Sequence, residues 1–197
     1  MRLAGLDDAD LLGAILADAF AEDPVFGWLI PSDTADRDER LRMFFTSMSR
    51  TYLRLAKPCY VAGDGSAAAL WGSPGSWALP MAEMAAEAEP QIAAFSERLE
   101  TAVQLQLQIE GLHPIDPAHW YLAYLGARRT HQGQGLGGQL LREVLAKADA
   151  DQVPAYLESS NERNLTLYER HGFQVVERVQ ALGEGPYIWR MWREPGN

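Results

Sequence analysis

The residues with the clearest chemical use are Gln132-Gly133-Gln134-Gly135-Leu136-Gly137-Gly138, which put four glycines into the six positions 133–138. Such a run lets the backbone turn with several N–H groups facing inward, yet glycine in a first helical turn costs about 1 kcal/mol relative to alanine. A cost of that size implies a backbone that must come close to something. Leu136, Leu140, Leu141, Val144 and Leu145 follow at helical spacing and predict a helix over 136–148. Its unpaired first N–H groups and roughly half a positive charge add to the loop. Loop and helix end together make an anion site suited to a polyphosphate ligand.

The rest of the chain must hold that loop in place. Residues 1–5 read as a short strand, followed by a helix with an acidic first turn (Asp7, Asp10) and an apolar face of Leu11, Leu12, Ile15, Leu16, Ala19 and Phe20, ending before Pro24. A second helix from about Arg37 carries Leu41, Phe44, Phe45, Met48, Tyr52 and Leu55 and ends near Pro58. Residues 59–62, the turn Gly63-Asp64-Gly65 and residues 67–71 read as a hairpin. The stretch 80–110 is helical in composition, interrupted by Pro90, with Ile92, Phe95, Leu99, Ala102 or Val103, and Gln106 on one face. Then come a loop at 111–117, a strongly apolar strand at 120–125, a polar turn at 128–134 and the helix already described. A strand at 153–157 leads to a helix at 161–171 closed by Gly172, and strands at 173–179 and 187–192 finish the chain. Mixed strands and helices on one sheet predict an α/β (α+β) domain spanning 1–197, with a helical insert at about 80–112 before the fourth strand.

Seventeen Lys and Arg against 27 Asp and Glu give a net charge of −10, which argues against a nucleic-acid partner because phosphate backbones need a cationic face. No run of 18 apolar residues is present, so no membrane span is expected. The acidic start Met1 to Asp8 does not fit a basic leader, and a cytoplasmic location is expected. A single cysteine, Cys59, excludes an internal disulfide and a four-cysteine zinc site, and no histidine pair has metal-ligand spacing. Cys59 reads as a small buried hydrophobe. His113 and His131 read as surface-loop histidines.

Two ligand classes fit the glycine loop. Gly133-x-Gly135-x-x-Gly138 matches a dinucleotide fingerprint, with Glu158 lying 20 residues beyond Gly138 at a strand end. Against an NAD-type ligand, Ala127 to Gln132 separate the glycines from their strand, and only 64 residues follow Gly133, too few for a doubly wound sheet. The second class is coenzyme A. Gln132-x-x-Gly135-x-Gly137 resembles the acetyl-CoA signature of the GNAT superfamily of N-acetyltransferases. A second signature of that family is resembled by Leu157-Glu158-Ser159-Ser160-Asn161-Glu162-Arg163-Asn164-Leu165-Thr166-Leu167-Tyr168-Glu169-Arg170-His171-Gly172-Phe173. The resemblance is loose over 1–72 and close over 119–193. Ala68-Ala69-Leu70-Trp71, the approach from His113 to Trp120, the segment 168–173 and the ending at 185–191 look most like the puromycin N-acetyltransferase branch. Ala127 and Arg129 depart from the usual valine and proline; Arg129 could add a phosphate contact.

That resemblance implies a mostly antiparallel mixed sheet flanked by helices, and an enzyme that passes an acetyl group from acetyl-CoA to a primary amine of a small molecule. It implies a coenzyme-binding core at about 119–173, where Leu125, Ala127, Gln132, Gly133, Gln134, Gly135, Leu136, Gly137, Gly138 and Asn164 hold the coenzyme. The strand ending at Leu125-Gly126-Ala127 should splay from its neighbour so that backbone N–H groups polarise the thioester carbonyl. Tyr168 is expected to protonate the departing thiolate. Glu158, His119, Tyr124 or water could take the amine proton, and this choice stays open, as do the acceptor amine and the oligomeric state. Trp71 and the strand at 119–124 are candidate linings of the acceptor pocket, walled by the insert. A degenerate coenzyme-binding module without turnover is the rival from another class.

Overall fold

A computed structural model describes residues 1–196. In chain order its elements are β1 (Arg2–Leu3), α1 (Ala9–Ala19), α2 (Pro24–Leu29), α3 (Arg37–Arg54), β2 (Cys59–Val61), β3 (Ala67–Gly72), α4 (Met81–Ala86), α5 (Ala88–Phe95), α6 (Leu99–Leu112), β4 (Trp120–Ala127), α7 (Leu136–Ala150), β5 (Ala155–Ser159), α8 (Leu165–Glu169), β6 (Gln174–Gln180) and β7 (Tyr187–Arg193). The seven strands form one sheet in the order β1-β2-β3-β4-β5-β7-β6. Among the described residues only β4 and β5 pair in parallel; every other neighbouring pair is antiparallel. The dinucleotide reading requires a doubly wound parallel sheet, which this mixed sheet is not.

Strand alternation divides the core into two layers. Cys59, Val61, Ala68 and Leu70 face a layer made by α1, α2, α3, α5 and α6. Tyr60, Ala67, Ala69 and Trp71 face the opposite layer, made chiefly by Leu140, Leu141, Val144 and Leu145 of α7 and Tyr168 of α8. Cys59 is buried as expected, and burial pushes its thiol up to about 12.

Several local expectations are corrected. The proline that ends the first helix also starts the next: Pro24 is the first residue of α2, and the Asp23 carboxylate accepts from the N–H groups of Val25 and Phe26. Pro90 does not interrupt the insert, because it sits in the first turn of α5, where no N–H is required. The breaks fall at Glu87 and at Ser96, whose φ of 44° is left-handed. That kink resets the helical phase, so Ala94, Phe95, Ala102 and Leu105 are buried while Ile92, Val103 and Gln106 are exposed. The helix expected over 161–171 is shorter, a single turn at 162–164 followed by α8, though Gly172 does adopt the left-handed φ of +88° that closes it.

The layers are locked where α1 crosses α3 and β4. A Cβ on Gly13 would stand 2.8 Å from the backbone N and Cα of Thr46. Alanine is favoured over glycine by about 1 kcal/mol in a helix interior, whereas overpacking against backbone costs about 1–3 kcal/mol. Gly13→Ala should therefore lower stability despite its better helix propensity. Chemical denaturation is expected to show a lower midpoint with an unchanged m-value; an unchanged or higher midpoint would contradict the close crossing.

Candidate functional site

The site is organised by an interruption in the sheet. β4 and β5 are paired only from Trp120–Ala155 to Leu122–Leu157. Beyond that point β4 stays with β3 as far as the Ala67–Ala127 pair, while β5 stays with β7 through the Ser159–Trp189 pair. The two strands diverge, and alternate N–H and C=O groups of 123–127 point into the opening and not to a neighbouring strand. A bulge lies at the fork. Trp71 faces Leu122 and Leu70 faces Tyr124, so Ala123 is the extra residue. Ala123 and Tyr124 consequently both turn toward the α1–α3 layer, while Leu122 and Leu125 face α7.

On the α7 side the opening leads to the glycine loop. Gly133 and Gly135 hold φ of +76° and +79°, and Gly135 is the N-cap of α7 with no side chain to satisfy the helix N–H groups. Gln132 to Gly135 are exposed and Leu136 is half-buried. The glycines have different reasons. Gly133 and Gly135 permit the left-handed turn, whereas a Cβ on Gly138 would lie 3.1 Å from the His171 ring and one on Gly137 3.3 Å from Leu167. Packing against the 167–171 segment therefore accounts for Gly137 and Gly138. Leu125, Ala127, Leu136 and Tyr168 belong to one apolar cluster with α7. Asn164 stands apart from it, exposed at the start of α8. Arg129 is committed elsewhere: its backbone N–H and its Nε donate to Asp18 at 2.8 and 2.9 Å, so α1 holds the residue expected to reach a phosphate. Arg128 Nε donates to the Gly65 carbonyl.

Tyr168 is buried, and its phenol is raised above the usual tyrosine range by burial and then by the charge of Asp23. Asp23 is itself buried; its carboxylate accepts from the Ser160 hydroxyl as well as capping α2. This bond ties the end of β5 to the α1–α2 connection. The Asp23 carboxyl is raised from its ordinary value, burial outweighing its hydrogen bonds.

On the opposite face the strands carry a buried polar cluster. Tyr121, Tyr124, Tyr156 and Glu158 project toward the insert, joined by Tyr52 from α3. Burial first, and the Glu158 charge with it, raises all four phenols, so each stays a neutral donor. Arg190 Nε donates to the Tyr156 hydroxyl at 3.0 Å, and its other nitrogens donate to Glu177 and to the Leu112 carbonyl at the end of α6. Glu158 borders a narrow crevice with Gln108, Ile109, Leu112 and Ile188, and its Oε1 is buried without a hydrogen-bond partner among the described residues.

Two expectations fail here. His113 is not a surface residue: it is buried, stacked on Trp77 at 3.8 Å between ring centroids, with Nδ1 3.6 Å from Glu158 Oε1. Trp71 does not line this pocket, because strand register turns it to the α7 layer. Sequence reasoning also passed over Tyr156 and Arg190, and read Tyr52 only as part of an apolar helix face. The available signal was a two-residue alternation, with Tyr121, Tyr156, Glu158 and Arg190 interleaved between apolar neighbours in their strands.

Residues 77–173 match the family model described as the acetyltransferase (GNAT) family. An uncharacterized N-acetyltransferase of Schizosaccharomyces pombe is 27% identical over 182 residues, covering 84% of this chain and 70% of its own. A histone acetyltransferase HPA2 and related acetyltransferase from Corynebacterium glutamicum superposes with a TM-score of 0.70 at 24% identity, over 100% of this chain and 96% of that one. The polyamine N-acetyltransferase of Drosophila melanogaster gives a TM-score of 0.67 at 15% identity, covering 98% of each chain. Arylalkylamine N-acetyltransferase 2 of Aedes aegypti gives 0.60 at 13% identity, over 99% of this chain and 98% of that one. The helix-flanked, mostly antiparallel sheet is the fold shared with these three solved structures. Among the described residues no helix is long and apolar enough to cross a membrane.

Gly135 gives a direct test of the loop, because valine at a φ of +79° is strained. Gly135→Val should weaken binding of a diphosphate-bearing coenzyme by at least about tenfold, or about 1.4 kcal/mol. Titration calorimetry showing undiminished affinity would contradict the role given to this turn.

Proposed function

We propose that this protein is a GNAT-type acetyltransferase that passes an acetyl group from acetyl-CoA to a primary amine of a small molecule, by direct attack of the amine on the thioester. One observation carries the reading. The divergence of β4 and β5 connects an anion-binding loop on one face of the sheet to a buried carboxylate and its phenols on the other. The diphosphate of an acyl-coenzyme needs the first, and an attacking amine needs the second.

The chain 1–197 would act as one acetyltransferase domain, with the coenzyme held by the core at 119–173. Gln132 to Leu136 would receive the coenzyme phosphates on backbone N–H groups and the α7 dipole, in a molecule whose net charge is −10. Local dipoles must do this, since the global field opposes it. Leu125 and Ala127 would offer backbone groups to the extended arm and the acyl carbonyl. Gly137 and Gly138 would contribute by letting α7 seat against 167–171, and Asn164 would reach the coenzyme from the surface.

An alkylamine has a pKa of about 10.4, so at pH 7 only about one molecule in a few thousand is neutral and able to attack. Glu158 is the base this reading selects among the open choices. It lies on the strand edge where β5 leaves β4, and its Oε1 has no competing donor among the described residues. Tyr168, across the sheet, donates to the departing sulfur. Its raised phenol keeps the proton at every physiological pH, and the same burial disfavours a bare thiolate in that position. The crevice beside Glu158 is narrow, which favours a small acceptor. The polyamine and arylalkylamine enzymes that share the fold support that substrate class, and the pattern at 168–173 and 185–191 supports including aminonucleosides, as in the puromycin branch.

The test is acetyl transfer to a panel of small amines with thiol release as readout. Turnover with at least one primary amine is expected; coenzyme binding without thiol release from any amine would instead favour a module that only binds. Tyr168→Phe and Glu158→Gln should each lower kcat by about 10²-fold or more, and either variant within twofold of the parent would remove that residue from the mechanism. Because the Tyr168 phenol is raised, its donor form persists as pH rises. No alkaline loss of kcat from this group is expected below about pH 10, and a fall centred near pH 8 would contradict the assignment.

A further inference from the structure

Glu158 is the first member of a buried row of groups. His113 Nδ1 lies 3.6 Å from Glu158 Oε1, His113 Nε2 lies 3.0 Å from His119 Nε2, and His119 Nδ1 lies 2.8 Å from the Pro117 carbonyl oxygen. Hydrogen-bond roles along the row follow from its far end. A carbonyl only accepts, so His119 must donate from Nδ1. A neutral His119 then presents a bare Nε2, and His113 must donate to it from its own Nε2. A neutral His113 therefore turns a bare Nδ1 toward Glu158, whose facing oxygen has no hydrogen-bond donor among the described residues. Two acceptors face each other across 3.6 Å. The row is short by one proton, and one added proton satisfies every member.

We infer that His113 and His119 form a proton relay behind Glu158, accepting the proton that Glu158 removes from the attacking amine. This rests on Glu158 being the base. The bookkeeping closes: the N–H bond of the amine breaks and an O–H bond forms on Glu158. That proton moves to His113 Nδ1, the His113 Nε2 proton moves to His119 Nε2, and the positive charge comes to rest on His119, whose Nδ1–H is held by the Pro117 carbonyl. His119 lies directly beneath the exposed loop 115–118, the side from which water can take the proton. Burial lowers the affinity of His119 for a proton, which favours release over storage. The other titratable groups facing the row are Tyr52, Tyr121, Tyr124, Tyr156 and Arg190. The phenols stay neutral, and Arg190 is occupied by Glu177, Tyr156 and the Leu112 carbonyl. His113 is thus a positioning and relay residue that acts through Glu158.

The row is testable because His113 is stacked on Trp77 and edge-on to Tyr121 and Tyr156, so phenylalanine preserves its packing while removing both nitrogens. With one alkylamine acceptor, His113→Phe should lower kcat about tenfold at pH 7 with KM within twofold. The deficit should close to less than twofold by pH 9.5, where far more of the acceptor is already neutral. No loss at pH 7, or a loss that stays constant with pH, overturns the relay. A second readout needs no turnover: nitrogen-15 spectra of the full chain should show His119 protonated at Nδ1 and His113 at Nε2. His119 protonated at Nε2 alone would overturn it. A fully active Glu158→Gln with this tautomer pattern intact would overturn the relay through loss of its base, which separates failure of the base from failure of the histidine row.

Discussion

The structure depends on two parallel strands that separate after three residue pairs. Backbone N–H and C=O groups withdrawn from a ladder and left unsatisfied cost free energy, so strands do not part without something holding them apart. Here the hold comes from both sides. β4 keeps its pairing to β3 from Tyr121 to Ala127 on either side of the Ala123 bulge, and Gly126 lets it lie so close to α1 that a Cβ there would meet Ala19 at 2.5 Å. β5 is committed to β7 by five consecutive pairs. The bulge at Ala123 supplies the local bend, and the Ser160–Asp23 hydrogen bond fixes the far end of β5 to the α1–α2 connection.

The separation matters because it joins two chemically opposite environments. One face offers backbone dipoles at the foot of α7 and no side-chain cap, an environment for negative charge. The other offers a buried carboxylate ringed by phenols that burial keeps neutral, an environment for an amine and its proton. In the proposed reaction, Glu158 on the same face would repel the coenzyme phosphates; with the sheet between them, only the reacting atoms would need to pass through. The insert completes the arrangement: Arg190 grips the Leu112 carbonyl at the end of α6, which sets His113 over Glu158.

Much of this was legible in the chain because it is local. The glycine loop, the stripe of α7, the hairpin at 59–72 and the two helices before it follow from spacing within about fifteen residues, and the second glycine-bearing signature identified the partner segment at 157–173. What was not legible depends on long-range register. Trp71 shares a face with Ala67 and Ala69 by simple alternation, but whether that face meets α7 or the insert is decided by helices far away in the sequence. The inner face of α6 is decided by the backbone at Ser96, where a serine in left-handed conformation carries no sequence signature. The burial of His113 comes from rings such as Trp77 and Tyr156, 36 positions before it and 43 after it. The glycines at 137 and 138 looked like ligand contacts because a ligand and a packed side chain demand the same missing Cβ.

The central claim is that the fork between β4 and β5, together with the α7 loop, holds the coenzyme. Backbone hydrogen exchange with and without coenzyme A addresses it directly. The account predicts slower exchange on binding at 123–127 and 133–138, with little change along the edge strand β6. Unchanged exchange at both segments under saturating coenzyme, or protection confined to other parts of the sheet, would contradict it.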